Sequence, residues 1–167
     1  IYLEGNLPAE VKRFRNAIED KLKEFKQYTG KRLEYRFIDP MAGTKEDQNM
    51  LFQELFAKGK GILPMGVSFM KDGTQSNMLL WPGAVIEYGG STVNSIQFLP
   101  GTPEGKAYTL NEQFEEQIQN SINNLEYMLI SAIRRSTQQE KKRIAFLQGH
   151  GELNNMQTQR VRTLISP

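Results

Sequence analysis

The 167-residue sequence contains no cysteine. That excludes disulfides, thiolate nucleophiles, iron–sulfur clusters and cysteine-based zinc sites. It has a single histidine, His150, so a tight zinc or copper site lacks donors and neither metal nor cofactor is expected. No apolar run of the roughly 18 residues that a spanning helix requires occurs, and no secretory leader pattern is visible. Charge of one sign is also scarce, with a formal net charge of +2. No run of Lys and Arg interleaved with aromatics occurs, so nucleic-acid binding is not expected. The local basic cluster Arg134, Arg135, Lys141, Lys142 and Arg143 reads as a solvated helix end, where cations suit the dipole.

What is present is ordinary for a globular chain: 24% charged and 38% hydrophobic residues, enough for one domain and its core, or one domain and part of another. The sequence opens directly on a strand-like "IYLEG" without an initiating Met and stops at "RVRTLISP", just after a new element has started. It therefore reads as an excised segment of a longer protein.

Apolar residues at Val11, Phe14, Ile18, Leu22 and Phe25 form one helical stripe, with Pro8 near its start and Gly30 as its cap. "RLEYRFIDP" alternates Leu33, Tyr35 and Phe37, a strand pattern stopped by Pro40, with Asp39 as a strand-end turn residue. Thr44 and Asp47 resemble a capping box ahead of a second helix whose buried face takes Met50 or Leu51, then Leu55, with Phe52 and Phe56. Residues 66–70, "NMLLW", "AVIEY" and 93–99 predict an antiparallel meander, with turns at Asp72-Gly73 and Gly89-Gly90 and a bend at Pro82-Gly83. A long helix is expected from about Leu110 to Gln138 with Thr109 as N-cap. At 1.5 Å per residue it would reach roughly 40 Å, so its first half is expected to pack on the sheet and its second to carry the chain away. "RIAFLQG" then predicts a buried strand and "MQTQRVRTLI" another helix.

The resulting order, β-α-β-α-β-β-(β)-α followed by β-turn-α, gives an α/β fold. Its first part has the order of a thioredoxin-like domain with a mixed sheet. Pro64 would precede the third strand, where that fold places a cis proline. Residues 1–108 form the expected thioredoxin-like domain, 109–141 a long linking helix, and 142–167 the start of a second, truncated α/β domain.

Two stretches are candidate sites. Gly149-His150-Gly151-Glu152 follows a predicted strand and opens a helix, an arrangement that can bind ligands. The P-loop pattern is absent, and Asn154 stands where a dinucleotide motif needs its third glycine. No nucleophile elbow accompanies His150, so no catalytic residue is expected there. Glu115 and Glu116, adjacent along a helix, point apart and form no acid–base pair. Trp81, Pro82 and Tyr88 lie on the meander, where an aromatic beside a Pro-Gly bend can form a sticky partner surface or cap the sheet core.

Three stretches, "IYLEGNLPAEVKRFRNAIEDKLKEF", "WPGAVIEYGG" and "INNLEYMLISAIRRSTQQEKKRIAFLQGHGEL", carry a resemblance over nearly the whole chain. Together they resemble the GldG family of gliding-motility-associated auxiliary proteins of ABC transporters in Bacteroidetes. That family lies within the wider group of uncharacterised ABC-transporter auxiliary proteins. The most specific pieces are Leu125-Glu126-Tyr127 and the stretch from Ile144 to Glu152. The resemblance implies a membrane-anchored protein on the periplasmic side of the inner membrane, held by segments outside this chain, and with no catalytic motif carried over, action through protein contacts rather than catalysis is expected. Its partners would be an ABC-transporter permease and its separate ATPase subunit. A solute-binding module with a ligand cleft at the domain junction is the second expectation.

Overall fold

The computed structural model describes residues 1–57, 60–71, 73–102, 107–137, 151 and 156–159. The chain divides into two units, Ile1–Thr137 and Gln138–Pro167. The first is a mixed α/β structure of helices and short sheets.

Helix α1 spans Ala9–Thr29 and buries Val11, Phe14, Ile18 and Leu22, the expected stripe. Pro8 occupies its N-cap, Glu10 lies in the first turn, and Gly30 closes it with φ 60° and a backbone N–H donated to Lys26 O. Helix α2, Lys45–Phe52, starts at a complete capping box: Thr44 Oγ1 accepts from Asp47 N, and the Asp47 carboxylate accepts from Thr44 N. A π-helical turn, Gln53–Ala57, follows.

The expected single meander is two sheets. Strands β1 (Met65–Lys71) and β2 (Thr74–Leu80) pair antiparallel from Met65↔Leu80 to Lys71↔Thr74. The two-residue strand β5, Tyr108–Thr109, lies parallel to β1. Strands β3 (Gly83–Tyr88) and β4 (Ser91–Gln97) form a separate hairpin around Gly89-Gly90. The break falls at Trp81-Pro82, because Pro82 has no N–H with which to continue a ladder. No cis peptide bond occurs among the described residues, so the bond before Pro64 is trans, contrary to the expectation from element order.

The predicted first and second strands are extended segments held by a few long-range bonds. Ile1 N donates to Arg36 O at 2.9 Å, and Ile38 N donates to Ile1 O at 2.8 Å. One residue bonded to positions 36 and 38 is the parallel pattern. Tyr2 N donates to Gly83 O at 3.0 Å, placing the first segment between 36–38 and β3. Phe98 N donates to Pro82 O at 2.7 Å, extending the β3–β4 hairpin past its strand ends.

Helix α3 spans Glu112–Thr137. Its N-cap is Asn111, not Thr109: Asn111 Oδ1 accepts from Phe114 N at 3.1 Å, while Thr109 lies in β5 opposite Ser68. Its buried residues are Phe114, Ile118, Leu125, Leu129 and Ala132. The helix therefore packs along its whole length, and its second half does not leave the domain as expected. Ser121 Oγ donates to Phe98 O at 2.9 Å, and Asn94 Nδ2 donates to Ala132 O at 3.4 Å, fastening α3 to the β4 side of the sheet.

The core consists of two clusters. The larger takes Leu3, the α1 stripe, the α3 stripe, Ala84 and Ile96, with Met65, Val67 and Leu80 of the other sheet. The smaller takes Tyr2, Leu55, Ile62 and Trp81, with Ile38, Leu51 and Val85 against it. Alternate residues of one strand thus feed opposite faces: Leu3 and Ala84 face α1 and α3, while Tyr2 and Val85 face the α2 side.

Candidate interaction site

Leu51 and Leu55 lie four residues apart and turn toward Trp81 and Tyr2. Phe52 and Phe56 repeat the same spacing on the neighbouring face, so the turn that buries the first pair presents the second. Leu55 is fully buried, whereas Phe52 is 40% and Phe56 48% exposed, and Met50 is exposed further still. The buried face expected of this segment is therefore narrower, limited to Leu55 with Leu51 beside it.

Trp81 is 3% exposed and Pro82 is buried, so neither belongs to the surface where a partner contact was expected. Tyr88, beside the Gly89-Gly90 turn, is exposed. The Trp81 ring meets Phe52 edge-on, with centroids 5.3 Å apart and planes at 81°. Phe52 in turn lies 5.7 Å from Phe56. A buried Trp therefore supports an outward aromatic pair, the anchored and partly exposed arrangement that binding hot spots favour.

Charge flanks this cluster on one side. Lys60 Nζ forms an ion pair with Glu54. The Tyr2 hydroxyl is held above its ordinary pKa chiefly by burial, with the Lys60 charge opposing that shift. Tyr2 stays a neutral phenol and cannot serve as a base near neutral pH.

A groove of about 630 Å³ opens on the other side of the first segment. Its walls are residues 33–36 and 84–87, and Leu22, Leu129 and Ile133 lie beneath them. Lys31, Arg32 and Arg36 mix with Glu34 and Glu87 along the groove, so it carries no single sign of charge.

Of the Gly149–Glu152 candidate, Gly149, His150 and Glu152 lie outside the described residues, and Gly151 is exposed with φ 89°. Glu115 and Glu116 are both exposed on α3. Asp39 is a turn residue as expected: its Oδ1 accepts from Met41 N at 2.9 Å and its carbonyl from Ala42 N at 3.2 Å. Its carboxylate lies against Gly5, where a Cβ would come within 2.7 Å of Oδ2 and where φ is 109°. Among the described residues no group of three or more His, Asp or Glu side chains is placed to hold a metal ion. No helix among them is long and apolar enough to cross a membrane.

The sequence held a signal for the Phe52–Phe56 surface: five large apolar residues between positions 50 and 56 are more than one helical stripe can bury. The groove carried no such signal, because segments distant in the sequence enclose it.

No curated protein matches the chain, and no solved structure does. With residues 1–87 of 167 matched by the model described as a domain of unknown function, DUF7088, the chain belongs to that family.

Proposed function

We propose that this chain is the extracytoplasmic domain of a membrane-anchored auxiliary subunit of an ABC transporter, of the gliding-motility type, acting by protein contact. The resemblance carried by "WPGAVIEYGG" and the "LEY" segment of α3 supports the family setting. The observation that supports contact as the mode of action is the exposed Phe52–Phe56 pair standing on buried Trp81. Aromatics held in one orientation lose little entropy on association, so exposed ones favour a partner surface. The order 36–38, 1–3, β3, β4 supports a thioredoxin-like arrangement in which β3, rather than the strand after Pro64, is the third strand. In this setting the chain works beside the permease and ATPase, anchored by segments outside it on the periplasmic side of the inner membrane.

Crosslinked capture from detergent-solubilised source membranes tests the proposal. The unaltered protein is expected to recover an ABC permease and its ATPase, and the double variant Phe52→Ser/Phe56→Ser to lose them while keeping its melting temperature within a few degrees. Absence of both subunits from captures that preserve a control transporter complex would overturn the proposal.

A further inference from the structure

The groove between residues 33–36 and 84–87 has the form of an empty strand position. On one side the chain is extended, with Leu33 at φ −111°, ψ 115°. The only backbone hydrogen bonds linking residues 33–38 to the first segment are those from Ile1 N to Arg36 O and from Ile38 N to Ile1 O. By the parallel pattern, the next groups along this edge are Arg36 N–H and Glu34 C=O. On the other side, β3 is hydrogen-bonded to β4 at alternate residues. Phe98 N bonds Pro82 O, and Ala84↔Ile96 and Ile86↔Asn94 continue that register. Gly83 and Val85 thus turn their backbone groups the other way, and Gly83 O already accepts from Tyr2 N. The backbone N–H and C=O of Val85 face the groove with no partner among the described residues.

The two edges match in phase. A residue joined to the nitrogen of Ile1 would meet Val85, and the residue before it would meet Glu34 C=O and Arg36 N–H. The side chains fit as well. Ile1 and Leu3 face α1 and α3 while Tyr2 faces α2, so the inserted residues would alternate between Val85 on one face and Leu22, Leu129 and Ile133 on the other. A strand covered on both faces is apolar throughout rather than alternating.

We propose that this groove is a strand acceptor that takes an extended, apolar polypeptide segment in line with Ile1, parallel to 33–36 and antiparallel to β3. The mixed charges at its margin select no charged ligand; the specificity lies in backbone groups and two apolar faces.

The test compares four preparations of the 167-residue chain. One carries an acetyl group on Ile1 as the reference. A second is extended at Ile1 by Lys-Val-Ile-Val, and a third by Lys-Pro-Ile-Pro, which keeps apolar bulk but lacks two backbone donors. The fourth is the acetylated chain with an equimolar free Lys-Val-Ile-Val peptide, capped at both ends. The proposal expects the second to melt several degrees above the reference, with the Arg36 amide gaining at least about tenfold protection from hydrogen exchange. The fourth should match the reference, and the third, which keeps its carbonyls and the Ile N–H but loses the donors facing β3, should rise clearly less than the second. Unchanged protection at Arg36 in the second would overturn it. So would an equal rise in the third, which would mark simple filling of an apolar groove, or in the fourth, which would mark a site for separate peptides.

Discussion

Gly83 and Ile62 approach so closely that no side chain fits between them: a Cβ on Gly83 would lie 2.7 Å from Ile62 Cγ2 and 2.7 Å from Ile96 O. Ile62 and Trp81 belong to the smaller core cluster, so this contact joins that cluster to the β3–β4 hairpin. Gly83→Ala is expected to destabilise the chain by about 1–3 kcal/mol through overpacking. Urea unfolding measures it; a change under 0.5 kcal/mol would show that Ile62 moves aside freely.

Leu129 tests whether α3 is a core helix along its whole length. It is 4% exposed, in the half of the helix expected from sequence to leave the domain. Leu129→Ala should cost about 2–5 kcal/mol. Ile130→Ala, at a position 48% exposed, should cost under about 1 kcal/mol in the same assay. Equal effects would return the second half of α3 to the role of a free connector.

The α2 capping box makes a prediction with a definite sign. The Thr44 N–H and hydroxyl both donate to Asp47, and these bonds hold its carboxyl below the ordinary value. A depressed carboxyl contributes stability that is present above its unfolded pKa and lost as pH falls through its folded one. The protection of amides in residues 45–52, taken relative to their intrinsic exchange rate at each pH, should therefore fall on acidification below about pH 4. Asp47→Asn should flatten that response, and a profile identical to the parent would exclude the box as its source.

In a 167-residue preparation that begins at Ile1, its ammonium should give a step in the opposite range. Burial, followed by the Arg36 charge, pushes it down from 8.0 to about 6. Between those values the unfolded chain binds more protons, so stability rises with pH, by no more than about 3 kcal/mol. Urea unfolding at pH 5.5 and 8.5 measures the step. Acetylation of Ile1 should remove it, and persistence after acetylation would assign it to another group.

The sequence was most legible where one period dominated. Val11, Phe14, Ile18 and Leu22 leave a single possible face for α1, and that face is buried. The Thr44–Asp47 cap was equally readable because it is local. The face of α2 was not, since Leu51–Leu55 and Phe52–Phe56 have the same spacing and only tertiary contact with Trp81 and Tyr2 decides between them. The division of the meander depended on Pro82, and the place of the first segment on the bond from Tyr2 to Gly83, which no local pattern encodes. Trp81, expected either at a partner surface or in the core, lies in the core, and the exposed aromatics above it are residues assigned inward from sequence.

The fastening of α3 to the β4 side has a mechanical consequence. Ser121 and Ala132 are tied to Phe98 and Asn94, and buried side chains from Phe114 to Ala132 lie between and beyond those ties. A pull applied to the chain beyond Thr137 cannot peel this helix away one turn at a time without first dislodging Leu129 and Ala132 from the core. Unwinding from that end therefore stops being local at Ala132, where it has to break into the core that α3 shares with the β3–β4 hairpin.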